Sequence, residues 1–160
     1  MKHLVVLAVL LFLASNVRAQ NMTYQTYAPC TFSVELPSTM SLSKMYEDES
    51  LDHCEYEAKL PDGFVVLEMY SLLSSRFDYT SVQELYDAAL KASELNITYK
   101  MKSENYFVIS GLDKKSGNIV YWKRCMGANF ISDLYIEYDT NRKKDIEPYI
   151  GWISKSFTSE

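Results

Sequence analysis

Hydrophobic and polar positions along this chain change period several times, and each change predicts an element. Residues 31–36 alternate, with Phe32, Val34 and Leu36 on one face and Ser33 and Glu35 on the other. Pro37 has no N–H to give a ladder and ends that strand. Residues 38–52 have no period, are rich in acids and hydroxyls, and read as a loop. Alternation returns over 53–60, with Cys54, Tyr56, Ala58 and Leu60 inward and His53, Glu55, Glu57 and Lys59 outward. Pro61-Asp62-Gly63 carries hairpin turn chemistry. Residues 64–72 are apolar on both faces, which suits a central strand.

A period of 3.6 takes over after Thr80. Ser81 and Glu84 form a capping box, and Val82, Leu85, Tyr86, Ala89 and Leu90 make one apolar stripe that fades near Leu95, with Asn96 as a stop. Strands follow at 97–102, 106–111, 119–126 and 129–138, with Ser103-Glu104-Asn105 and Lys115-Ser116-Gly117-Asn118 as turns. In the last of them Phe130, Leu134, Ile136 and Tyr138 share a face, and Asp133 and Glu137 share the other. The helical period then returns through Ile146, Tyr149, Ile150, Ile153 and Phe157. Pro148 belongs in a first turn, so this helix is expected to start near Asp145, with Asp145 as its cap. Gly151 costs it about 1 kcal/mol against alanine. The predicted order is βββ-α-ββββ-α. Short connections favour antiparallel neighbours, so the fold class is α+β: an antiparallel sheet of about seven strands with two helices packed on it, both over one face.

The start of the chain lies outside that pattern. Lys2, the apolar run 4–14 and Val17-Arg18-Ala19 have the make-up of a signal peptide over 1–19. The apolar run is shorter than the ~20 residues a membrane helix needs. Cleavage after Ala19 would leave a chain beginning at Gln20, exported to the periplasm or secreted. Residues 20–30 would be a loose arm and 31–160 one domain, because about 140 residues suffice for one core and not for two. Removing Lys2 and Arg18 leaves 14 basic residues against 21 acidic and takes the net charge from −5 to −7. Such a body is not drawn to nucleic acid or anionic lipid, which need clustered cations. The one basic cluster, Arg142-Lys143-Lys144, sits beside Asp139 and Asp145 and reads as a solvated helix entry.

Three cysteines, Cys30, Cys54 and Cys125, allow one disulfide and one leftover thiol in an oxidising compartment. Of the three pairings, Cys30 with Cys54 is favoured because both flank the first strand pair, and Cys125 is then a free thiol. Such a bridge stabilises by roughly 3 kcal/mol in the loop-entropy account.

The FSVELP strand ending in proline, the capped central helix, the strands YFVISG, IVYWKR and FISDLYIEY and the closing helix with ISKSF together carry a resemblance. The chain resembles secreted bacterial proteins of the PsbP/Mog1-like α+β fold over about residues 31–157. The resemblance implies a non-enzymatic accessory or binding role. Its members include photosystem II extrinsic subunits and a Ran-binding nuclear factor, and it brings no active-site set to transfer.

Chemistry legible in the residues is sparse. His3 leaves with the leader, so His53 alone remains, which weakens histidine-base and histidine-ligand mechanisms. His53 and Cys54 are adjacent on a strand and point to opposite faces, so they make no thiolate–imidazole pair. The same-face acids Asp133 with Glu137 and Glu55 with Glu57 read as solvent contacts of an antiparallel sheet, not as a glycosidase pair. Glu47-Asp48-Glu49 lacks the spacing of a calcium loop, and no cofactor or metal motif occurs. Asn21-Met22-Thr23 and Asn96-Ile97-Thr98 match the glycosylation pattern by chance if the leader is bacterial. What remains is aromatic: Tyr70, Tyr121, Trp122 and Tyr135 are the candidate residues for binding a protein or small ligand, on a sheet face left open by the helices. The expected function is an exported, non-catalytic binding or accessory domain. The alternatives are a small exported hydrolase with an atypical site, or a thiol-linked redox or stress component using Cys125.

Overall fold

The computed structural model describes residues 23–48, 53–76 and 79–160, except the side chains of 65, 66 and 76. The signal-peptide segment, Asn21 and Glu49 lie outside the described residues. Among the described residues ten strands and two α-helices run in the order β1 (Tyr24–Tyr27), β2 (Phe32–Pro37), β3 (Ser41–Asp48), β4 (His53–Lys59), β5 (Val65–Leu73), α1 (Val82–Ala92), β6 (Leu95–Lys102), β7 (Tyr106–Asp113), β8 (Ile119–Met126), β9 (Phe130–Tyr138), α2 (Lys143–Ser156) and β10 (Thr158–Ser159). Seven strands form one sheet in the order β3-β4-β5-β9-β8-β7-β6, and β1-β2-β10 form a small second one. Every pairing is antiparallel. The α+β class and the count of seven agree with the sequence, yet the membership differs. The alternating strand at Phe32 belongs to the small sheet, and β3, read as loop, takes its place in the large one.

The missed strands share a cause. β3 (SLSKMYED) is an edge strand with a bulge between Lys44 and Tyr46, so its side chains do not alternate between core and water. β1 lies in the segment read as a loose arm; it pairs with β2 from Tyr24↔Pro37 to Tyr27↔Val34 and carries no buried residue that would mark it. β10 is two residues long.

The largest difference concerns the helices, which lie on opposite faces of the large sheet. On one face, Phe32, Val34 and Leu36 of β2 and Ile146, Ile153 and Phe157 around α2 pack on Cys54, Tyr56, Leu67, Met69, Cys125, Leu134 and Ile136. On the other, Val82, Leu85 and Ala89 of α1 pack on Phe107, Ile109 and Ile131. Strand parity enforces the split, since alternate residues of β7, β8 and β9 are apolar on both sides and each side needs a cover. Neither helix spans the sheet. α1 rests on β7 and β6, and α2 rests chiefly on β2 and also on β9.

Local chemistry fixes the ends of the elements. Ser81 accepts the Glu84 N–H and the Glu84 carboxylate accepts the Thr80 N–H, completing the capping pattern one residue early. Asp139, not Asp145, caps the C-terminal helical run: it accepts the Asn141 N–H at 2.7 Å ahead of a 3₁₀ turn (Thr140–Arg142) that feeds α2. Asp145 sits in the first turn, 3.1 Å from Arg142, and Pro148 lies one turn deeper than expected. At the other end, buried Lys123 donates to the carbonyls of Ser154 and Phe157 at 2.6 and 2.8 Å. A cation on carbonyls that the helix leaves unpaired suits the negative end of its dipole. Gly111 faces the β6 bulge so closely that a Cβ there would overlap the Asn96 carbonyl oxygen. Cys30 and Cys54 form a disulfide, and Cys125 is free and buried.

Candidate functional site

The four aromatic candidates do not share a surface. Tyr121 points to the face under α2, where its phenol meets the Ser154 hydroxyl. There it helps line a groove of about 630 Å³ between α2 and strands β6 to β9, with Tyr99, Leu112, Ile119, Tyr138 and Ile150. Lys143 and Glu147 stand 3.4 Å apart in the same lining. Trp122, its neighbour in sequence, points to the α1 face, as do Tyr70 and Tyr135. Cys125 lies with Tyr121 beneath α2, its thiol 3.7 Å from the Phe157 carbonyl oxygen. Burial pushes that thiol up to about 11, partly opposed by the Lys123 ammonium. A reactive cysteine needs exposure and a lowered pKa, and this one has neither.

On the α1 face the strand registers set out two rows. One runs Ser43, Glu57, Glu68, Tyr135, Trp122, Ile109 and Lys100, each opposite the next on the neighbouring strand. The second runs Tyr46, Glu55, Tyr70, Asp133, Arg124, Phe107 and Lys102. Two residues of strand separate the rows, about 7 Å. α1 covers the Ile109–Phe107 end. Among the described residues no helix lies over the β4–β5–β9 part, so Tyr70, Tyr135 and Glu68 meet solvent while the tyrosine rings stay half-buried among their neighbours.

Where the rows meet α1, a polar cluster is built from two strands. Asp133 holds Arg124 in a two-pronged pair, Nε to Oδ1 at 2.7 Å and Nη2 to Oδ2 at 2.6 Å. The Trp122 indole N–H donates to the same Oδ1 at 2.9 Å, and the guanidinium lies 5.0 Å from the Trp122 ring centre. Away from α1 the partners thin out. Tyr70 donates to Glu68 and Tyr135 to Glu137 only at 3.4 Å, long for O–H···O bonds. Burial, then the nearby carboxylates, raises both phenols, Tyr135 to about 12. They therefore stay protonated donors at neutral pH.

The acids singled out by sequence are mostly engaged. Asp133 is taken by Arg124, and Glu137 accepts the Asn118 amide at 2.8 Å. Glu57 pairs with Lys59, and Glu55 meets His53 at 3.1 Å. Glu47 pairs with Lys44, and among the described residues no three His, Cys, Asp or Glu side chains converge as a metal site. Sequence reading missed Glu68 and Arg124. The signal was present in the i, i+2 spacing of Trp122 with Arg124 and of Glu68 with Tyr70, but their meeting across strands depends on register.

No family model matches this chain, and no curated protein matches it. Among the described residues no helix is long and apolar enough to cross a membrane. Among solved structures the chain is similar to the solution structure of cyanobacterial PsbP (CyanoP) from Synechocystis sp. PCC 6803, with a TM-score of 0.53 at 7% identity. The likeness covers 87% of this chain and 94% of that one. At such identity it concerns the path of the backbone, and the chain has the PsbP-like α+β fold.

Proposed function

We propose that this chain is an exported, non-catalytic accessory domain that holds a protein partner on the helix-free part of its α1 face. One observation carries the reading: Tyr70, Trp122 and Tyr135 form a half-buried aromatic surface across β5, β9 and β8, and among the described residues no helix covers its β5–β9 portion. Aromatic rings that bury area while keeping a polar tip are the residues that recognition surfaces favour. Of the acids there, Asp133 is held by Arg124, Glu137 by Asn118 and Glu57 by Lys59, which supports binding over catalysis. Export is supported by the leader-like residues 1–19 and by the Cys30–Cys54 disulfide, a bond kept in oxidising compartments. Under this reading the exported protein begins at Gln20, which intact-mass measurement of the native product checks.

A photo-cross-linking residue in place of Tyr135, expressed in the native host, tests the docking surface, with the same residue in place of Lys155 on α2 as control. A discrete adduct from position 135 that is missing from position 155 is expected. No adduct, or the same adducts from both positions, removes the proposal.

A further inference from the structure

The α1 face already contains one worked example of how it holds a guanidinium. Arg124 lies against the Trp122 ring while Asp133 grips its edge with two hydrogen bonds. Ring, carboxylate and planar cation come from neighbouring strands, and the flat cation satisfies both at once. One strand over, the same parts recur without the cation. Glu68 stands opposite Tyr135 on β9 and two residues from Tyr70 on β5, while Tyr70 stands between Glu55 and Asp133.

Charge on this part of the sheet is lopsided. Among the described residues Asp48, Glu55, Glu57, Glu68, Asp133 and Glu137 face it, against the cations Lys59 and Arg124, with the His53 imidazole beside Glu55. Both cations are committed, Lys59 to Glu57 and Arg124 to Asp133. Glu68 is exposed, has no cationic partner among the described residues, and receives only the long Tyr70 bond. It also stands directly opposite Glu57, which Lys59 pairs, and like charges at opposed positions destabilise a sheet, so among the described residues Glu68 is the member of that pair without a cation of its own.

We infer that Glu68, flanked by the rings of Tyr70 and Tyr135, is a subsite for an arginine side chain of the protein partner. This rests on the reading of the α1 face as a docking surface and supplies its chemistry: a basic segment whose arginine repeats what Arg124 does beside Trp122. Arginine fits better than lysine because a planar cation can lie on a ring and present its N–H edge to a carboxylate together, which a compact ammonium cannot.

The test uses three fluorescent octapeptides in a glycine-serine background, carrying two arginines, two citrullines or two lysines, titrated onto the whole protein by anisotropy. The arginine peptide is expected to bind, the citrulline peptide at least about tenfold more weakly, and the lysine peptide in between. Glu68→Gln should weaken the arginine peptide about tenfold. Glu104→Gln, an exposed acid in the turn before β7, should leave it unchanged. Amide shift changes should centre on residues 68, 70 and 135. Binding of citrulline or lysine equal to arginine, indifference to Glu68→Gln, or no binding of any peptide overturns the inference. The cross-link at position 135 separates the two readings. An adduct that the arginine peptide does not compete away leaves the docking surface standing and removes the arginine subsite, whereas no adduct at all removes both.

Discussion

Cys125 gives a prediction whose sign and size follow from its surroundings. The residue is 6% exposed, and its thiol sits at the C-terminal end of α2, near the Phe157 carbonyl and the Lys123 ammonium. Burial raises its pKa from 9.0 to about 11, against the lowering effect of Lys123. The folded protein therefore prefers the neutral thiol. In the window between the two values the unfolded chain has lost a proton that the native chain retains, so stability falls as pH rises. Below pH 9 the contribution is fully present; by pH 11 it is gone. One group gives a slope of about 1.4 kcal/mol per pH unit, and two units give about 3 kcal/mol. The tyrosines Tyr135 and Tyr138, pushed up to about 12, act in the same direction but only above pH 10. The informative interval is thus pH 9 to 10. Urea unfolding followed by tryptophan fluorescence should show the native protein losing about 1 kcal/mol more than Cys125→Ala over that interval. Acid-quenched samples checked by mass would exclude exchange between the unfolded thiolate and the Cys30–Cys54 bridge. Parallel pH profiles for the two proteins, or rapid labelling of native Cys125 by a small thiol reagent at pH 8, would refute the reasoning.

Three further outcomes test the frame. Asp133→Asn removes the charge that Arg124 and the Trp122 N–H share, and with both ionic partners largely buried it should cost about 3 kcal/mol in urea unfolding; a loss under 1 kcal/mol would show the cluster to be ornamental. Reducing the Cys30–Cys54 bridge, which spans 24 residues, should cost about 3 kcal/mol and lower Tm by roughly 10 °C, read by calorimetry with and without reductant; an unchanged Tm would mean that the pairing constrains nothing. Ser81→Ala should cost about 1 kcal/mol by freeing the Glu84 N–H, and amide exchange should quicken over residues 82–85 before the rest of the sheet. Unchanged exchange there would mean that α1 is held by Val82, Leu85 and Ala89 alone.

What the sequence made legible is what period two and period 3.6 encode. β2, β4, β7, β8 and β9 bury one or both faces and alternate or run apolar accordingly, so they were found to within a few residues. The capped helix α1 was found from Ser81, Glu84 and its stripe. β3 was not, because an edge strand with a bulge and solvent around it leaves no alternation to read; β1 and β10 were too polar or too short. The error over α2 has the same character. Pro148 argued for a late start, but Asp139 caps a 3₁₀ turn ahead of the helix and moves the whole run earlier. Which face each helix covers was out of reach, since a stripe says that a helix is covered and not by which side of a sheet.

The candidate site shows the same limit more sharply. Tyr121 and Trp122 are adjacent in the chain and looked like one aromatic cluster with Cys125. Strand parity sends Tyr121 beneath α2 and Trp122 to the α1 face, so the cluster along the sequence is two unrelated environments in space. The groupings that carry chemistry are the rows across strands: Glu68 with Tyr135, Tyr70 with Asp133, Asp133 with Arg124. The first two join strands far apart in the chain, the third crosses the β8–β9 hairpin, and each exists only in one register. A slip of one residue between β5 and β9 would turn Glu68 and Tyr70 into the core and bring Leu67 and Met69 out to water. The buried face of β5 therefore fixes the exposed one. Leu67 and Met69, at 1% and 0% exposure, hold the register that sets Glu68 beside Tyr70 and Tyr135, so the packing of one face decides which side chains the other presents.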